Sequence, residues 1–142
     1  MPRLLGREQL KRLPELVGRR REMAALYRSF LDDVPNLRLP AEPKWARSNW
    51  QSYCVRPPEG SDQKQVMQAL LDRQISTRRG IMCVHREPAY QDQSWRSIGP
   101  LSESERAQDE CILLPIYHQL GREEQRFIAA QLRAALVADC VG

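Results

Sequence analysis

Between Gln74 and Tyr90 the chain reads Gln-Ile-Ser-Thr-Arg-Arg-Gly-Ile-Met-Cys-Val-His-Arg-Glu-Pro-Ala-Tyr, and what this stretch can become limits what the rest can build. It begins like a short strand at Ile75 to Thr77, passes through Gly80, and ends with a histidine, an arginine and a tyrosine around Pro88. A buried strand has no need of the adjacent Arg78 and Arg79 or of the His85–Arg86 pair. A loop that meets an anionic, hydroxyl-rich ligand does: arginine offers a planar fork of donors, and histidine a switchable donor and acceptor. The other reading of the same residues is a surface turn with solvated arginines.

The segments on either side set the elements. From Arg7 to Leu31, Leu10, Leu13, Val17, Ala24, Tyr27 and Leu31 recur at helical spacing and predict one amphipathic helix. Pro14 lies inside it and predicts a kink or two helices meeting, because proline removes a backbone donor and crowds the preceding turn. Arg19-Arg20-Arg21 reads as a solvated helix face. Pro35, Pro40 and Pro43 make an extended connector, and Gln51 to Arg56 alternates like a strand around Tyr53 and Val55. Ser61 or Asp62 can cap a helix carrying Val66, Met67, Leu70 and Leu71 on its inner side. Pro88 to Gly99 reads as irregular, anchored by Trp95. Ser102-Glu103-Ser104-Glu105 has the spacing of a capping box and opens a short helix to about Asp109. Cys111 to Leu114 reads as a buried strand stopped by Pro115. Gly121 to Glu124 opens a last helix with Phe127, Ile128, Leu132, Ala135 and Leu136 inward. The order predicts an α+β fold, a small, mainly antiparallel sheet covered by helices, with a long kinked N-terminal helix.

A chain of 142 residues is the size of one domain. It divides into an N-terminal helical arm, 1–34, and an α+β unit, 35–142. The net charge is +4, carried mostly by arginine; the lysines are Lys11, Lys44 and Lys64. Nucleic-acid surfaces concentrate charge with interleaved aromatics, and the one dense basic run, Arg19 to Arg21, is flanked by Glu15 and Glu22, so no nucleic-acid partner is expected. No apolar run approaches a membrane span, and no signal-peptide pattern opens the sequence. Cys54, Cys83, Cys111 and Cys140 lie far apart with no Cys-x-x-Cys, which suits reduced thiols and a cytoplasmic chain. Cys83 and His85 could touch one metal, but two ligands make no site, and Cys83 is expected in the core.

No phosphate-binding glycine loop, nucleophile elbow or zinc-protease motif occurs, and no residue is marked as a nucleophile. His118, after Tyr117, suits a helix cap or the surface better than a ligand. His85 stands out because Arg78, Arg79, Arg86 and Tyr90 crowd the same stretch.

Taken in order, Gln9 to Leu13 leading to Arg19-Arg20-Arg21 and Ala25-Leu26-Tyr27, then Asn49 to Tyr53, Ile75 to Ile81, His85 to Tyr90, Leu101-Ser102-Glu103 and Leu114 to His118 resemble the C-terminal, small domain of the DegT/DnrJ/StrS-type aminotransferases. These are pyridoxal-phosphate enzymes that aminate keto-sugars, usually nucleotide-linked. The resemblance covers nearly the whole chain and implies the small domain of a fold-type-I aminotransferase. It also implies that the Schiff-base lysine, the aspartate at the pyridinium nitrogen and most of the phosphate cup belong to a large domain that this stretch does not match. None of the three lysines sits in the family's lysine motif, so no catalytic or cofactor-binding residue is expected in this chain, and it is expected to be inactive alone.

By the same resemblance His85 would hydrogen-bond substrate, Arg79 and Arg86 would meet substrate phosphate, and Tyr90 would pack or hydrogen-bond beside them. The partners implied are a nucleotide-sugar and an aminotransferase large domain docked through the N-terminal helix, or a second copy covering Leu10, Leu13 and Val17. A stand-alone binding module and the small half of a split enzyme are the alternatives. Two positions depart from the family pattern. Gln74 stands where a glycine usually takes a left-handed turn, and Gly121 replaces a serine or threonine cap.

Overall fold

A computed structural model describes residues 2–91 and 96–139; Trp95 and Cys140 lie outside the described residues. The elements run α1 (Pro2–Leu31), β1 (Tyr53–Val55), α2 (Gln63–Leu71), β2 (Arg78–Arg79), a single 3-10 turn (Val84–Arg86), α3 (Pro88–Gln91), α4 (Ser102–Glu110), β3 (Ile112–Leu114) and α5 (Arg122–Asp139). The fold is α+β. Its three strands lie in the order β1-β3-β2, both pairs antiparallel.

Tyr53 faces Leu114 and Val55 faces Ile112 across β1 and β3. All four side chains are buried on one side of the sheet, because side chains alternate faces along a strand. Met23, Ala24, Tyr27 and Leu31 of α1, Val66 and Leu70 of α2, and Ile128, Leu132 and Leu136 of α5 complete that core. Polar groups tie the helices to it. The Tyr27 hydroxyl donates to the Pro115 carbonyl at 2.7 Å, and the buried Gln125 amide donates to the Met23 carbonyl at 3.0 Å.

The apolar stripe of α1 is split. Its second half is core, whereas Leu10 and Leu13 are 65% and 49% exposed. Pro14 lies within a single helix of 30 residues, not at a junction of two. On this exposed arm water can serve the carbonyl that loses its partner to Pro14.

Arg19, Arg20 and Arg21 are not a solvated face. Consecutive helical residues fan out by about 100° each, and the three guanidiniums reach two loops, Arg19 the one before α5 and Arg20 and Arg21 the one between α1 and β1. Arg19 donates to the Leu120 carbonyl at 3.0 Å, and Arg20 to the carbonyls of Trp50 at 3.2 Å and Gln51 at 2.7 Å. Arg21 donates to the Ser48 carbonyl and pairs with Glu42 at 2.7 Å. The sequence shows the charges but not the carbonyls waiting for them.

Four local expectations change. The strand expected at Ile75 to Thr77 forms at Arg78–Arg79, because Ile75 is taken up by the end of α2. Its N–H bonds the Leu70 carbonyl at 3.0 Å while Gln74 bonds Leu71 at 2.8 Å, the paired bonds of a Schellman stop; Ile75 and Leu70 are both buried. The capping box does not form: Leu101 is the N-cap of α4, without a side-chain cap bond, and Glu105 is turned to other partners. Part of Pro88 to Gly99 is helical, as α3. Leu71 and Phe127, expected inward, are 55% and 49% exposed, each beside rather than on its helix's buried row. Asp62 does cap α2, accepting from the amides of Lys64 and Gln65. Where Gly121 lacks a capping side chain, Glu124 reaches back to its N–H at 2.6 Å.

Candidate functional site

Gly80 sets the position of everything that follows it. Its N–H donates to the Cys111 carbonyl at 2.8 Å, and a Cβ there would lie 1.7 Å from the Ala107 carbonyl oxygen. Only a residue without a side chain lets the end of β2 run flush against the backbone of α4. From there the chain follows α4 in the reverse direction. The Cys83 N–H donates to the Oε1 of Gln108 at 2.5 Å, and its thiol to the Ser104 carbonyl at 3.1 Å. Cys83 is buried, as expected, while Ile81, Met82 and Val84 around it are 73%, 58% and 61% exposed.

The 3-10 turn then presents His85 and Arg86 to two carboxylates of α4. His85 Nε2 lies 2.9 Å from the Oε1 of Glu105. Arg86 pairs with Asp109 at 2.7 Å and with the second oxygen of Glu105 at 3.5 Å. Glu105 and Asp109 are four residues apart, hence on one helical face. The hydrogen bond from His85, with Arg86 beside it, holds the Glu105 carboxyl below its ordinary range, and Asp109 holds the Arg86 guanidinium above its own.

Arg79, exposed on β2, lines a cleft of about 630 Å³ with Ser61, Asp62, Lys64, Gln108 and Asp109. Asp109 therefore joins Arg86 to the cleft that Arg79 borders. Tyr90 stands on α3 and is 45% exposed. So His85 and Arg86 meet at Glu105, Arg79 adjoins the same helix at Asp109, and Tyr90 is on the next element. Glu105 and Asp109 were not singled out from the sequence. The available signal was a pair of acids at helical spacing opposite a basic loop, and the capping-box pattern masked it by giving Glu105 another use. His118 is apart from this cluster and half-buried, its Nδ1 without a hydrogen-bond partner among the described residues.

The arrangement is a charged, hydrogen-bonded loop latch bordering a polar cleft. It contains donors suited to phosphate and hydroxyl groups, of which His85 and Arg86 are already held by carboxylates. Among the described residues no group of three His, Cys, Asp or Glu side chains could hold a metal, and no helix is long and apolar enough to cross a membrane. A Schiff-base lysine needs a desolvated or charge-tuned setting. Lys11 is exposed and paired with Glu8 at 2.7 Å, and Lys44 and Lys64 are exposed. The residues present do not fit pyridoxal phosphate.

The sequence profile of the DegT/DnrJ/EryC1/StrS aminotransferase family matches residues 3–133. A dTDP-4-dehydro-2,3,6-trideoxy-D-glucose 4-aminotransferase of Saccharopolyspora spinosa is 36% identical over 138 residues, 96% of this chain and 34% of the relative. The crystal structure of the aminotransferase TlmJ from Streptoalloteichus hindustanus superposes with a TM-score of 0.81 at 34% identity, covering 94% of this chain and 35% of that one. The Spr1654 protein of Streptococcus pneumoniae in its PLP form shares the fold at 20% identity, with a TM-score of 0.79 over 94% of this chain and 34% of its own; the family's cofactor is pyridoxal phosphate. The chain thus spans about a third of the length of each of these relatives. With the fold, the matched residues and the relatives in agreement, the chain belongs to the DegT/DnrJ/EryC1/StrS aminotransferase family.

Proposed function

We propose that this chain serves as the small, C-terminal domain of a sugar aminotransferase and is catalytically silent without a large domain. The observation that carries this reading is the alignment itself: 94% of the chain superposes on about a third of an aminotransferase, and no lysine in it has the setting of a cofactor anchor. Residues 35–142 would form the domain proper, and 1–34 the arm that reaches the large domain.

In the completed enzyme His85 would hydrogen-bond the substrate sugar, Arg79 and Arg86 would face the phosphates of a nucleotide-sugar, and Tyr90 would flank them. Arg86 is held by Asp109 and Glu105, so a phosphate must displace a carboxylate before it gains a charge-assisted bond. That exchange favours weak binding by the isolated chain and argues against a stand-alone nucleotide-sugar module. In a split enzyme, a separately encoded large domain would supply the lysine and the rest of the phosphate cup.

Isothermal titration of the chain with dTDP-sugars tests the reading. Weak or absent binding by the chain alone is expected. Tight binding lost in Arg86→Ala would favour the stand-alone module instead.

A further inference from the structure

In the β1–β3 register Cys54 faces Leu113. Cys111 lies two residues before Leu113, so Cys54 and Cys111 share the sheet face opposite the core, on a diagonal across the strand pair. Both are half-buried, and the Cys111 thiol is near enough to raise the pKa of Cys54. Cys111 is also the C-cap of α4, and its carbonyl accepts the N–H of Gly80 at 2.8 Å and the side-chain amide of Gln63 at 2.6 Å. The pair sits where α4, β2 and α2 meet, and the site described above uses neither cysteine.

We propose that Cys54 and Cys111 form a dithiol that closes to a disulfide by exchange with a low-molecular-weight disulfide. One protein thiolate attacks a sulfur of the small disulfide, whose S–S bond breaks and releases one small thiolate. The second protein thiolate attacks the protein sulfur of that mixed disulfide and expels the other small thiolate. Two protein thiols are oxidised, one small disulfide is reduced, and the two protein protons end on the two small thiols.

Burial and the neighbouring Cys111 thiol push the Cys54 thiol up, so the exchange is expected to be slow at neutral pH and to quicken as pH rises. Closure requires a shift, because an S–S bond is only about 2.0 Å long and diagonal positions start farther apart than directly opposed ones. The shift draws the C-terminal end of α4, the helix that carries Glu105 and Asp109, towards β1.

The full chain is equilibrated in glutathione buffers of graded ratio, quenched in acid, alkylated and read by intact mass and peptide mapping. The wild type is expected to lose the mass of two hydrogens and to yield one cross-linked Cys54–Cys111 peptide, and a Cys83→Ser/Cys140→Ser variant to do the same. Cys54→Ser is expected to retain one glutathione on Cys111 and Cys111→Ser one on Cys54, neither single variant being able to close the bridge. A wild type that stays reduced in the most oxidising buffer, keeps a stable glutathione adduct, or links either cysteine to Cys83, Cys140 or a second chain would overturn the proposal.

Discussion

Two backbone positions in the organising stretch are decided by single residues. Gln74 has a φ of 63°, the left-handed geometry that glycine adopts without penalty and that costs a side chain about 1 kcal/mol. Gln74→Gly is therefore expected to stabilise the chain by about 0.5–1 kcal/mol, the relief of strain being partly offset by a more flexible unfolded chain; equilibrium urea unfolding reads it. Gly80 is the opposite case. Its requirement is contact rather than torsion, since a methyl group would overlap the Ala107 carbonyl. Gly80→Ala is expected to cost about 3 kcal/mol or more, with loss of α4 protection in hydrogen exchange; a change within 0.5 kcal/mol would contradict the packing described. The left-handed turn at Gln74 was legible only through the family resemblance, which implies a glycine there. The close approach at Gly80 was not, because it depends on α4, nearly thirty positions away in the sequence.

At the scale of elements, what the sequence conveyed was periodicity, and what it withheld was partnership. Helices α2 and α5 and strands β1 and β3 fall close to where apolar spacing put them, and α4 where the Ser102 to Glu105 run put it. The destinations of charged side chains do not follow from spacing: the arginine run clamps two loops, and Glu105 leaves its capping role to hold His85. Arg20→Ala removes bonds to two carbonyls and is expected to cost about 1–2 kcal/mol, with faster amide exchange around Trp50. The loop latch carries a pH dependence whose sign is fixed. Because the folded-state Glu105 pKa is depressed, its stabilising share is complete above the ordinary glutamate value of about 4.3 and is lost as pH falls through the lower folded value. Amides of Val84 to Arg86 are expected to lose protection on acidification below pH ~4, and Glu105→Gln to abolish most of that dependence. An unchanged profile in Glu105→Gln would assign the dependence to other carboxylates.

The whole molecule divides its apolar surface unevenly. A helix of 30 residues spans roughly 45 Å, and the core uses only its C-terminal part, leaving Leu10 and Leu13 in water. Such a face invites a second copy or a large domain. The chain is expected to self-associate at high concentration, and Leu10→Glu/Leu13→Glu to remain monomeric by light scattering without loss of thermal stability. A wild type that stays monomeric at high concentration would remove this role from the arm. The central claim, a small domain that needs its large domain for chemistry, is tested most directly by incubating the purified chain with pyridoxal phosphate, an amino donor and a dTDP-keto-sugar, then measuring both amino-sugar formation and borohydride-fixed cofactor on each lysine. The account predicts no turnover and no stoichiometric attachment at Lys11, Lys44 or Lys64; turnover that depends on one of these lysines would contradict it.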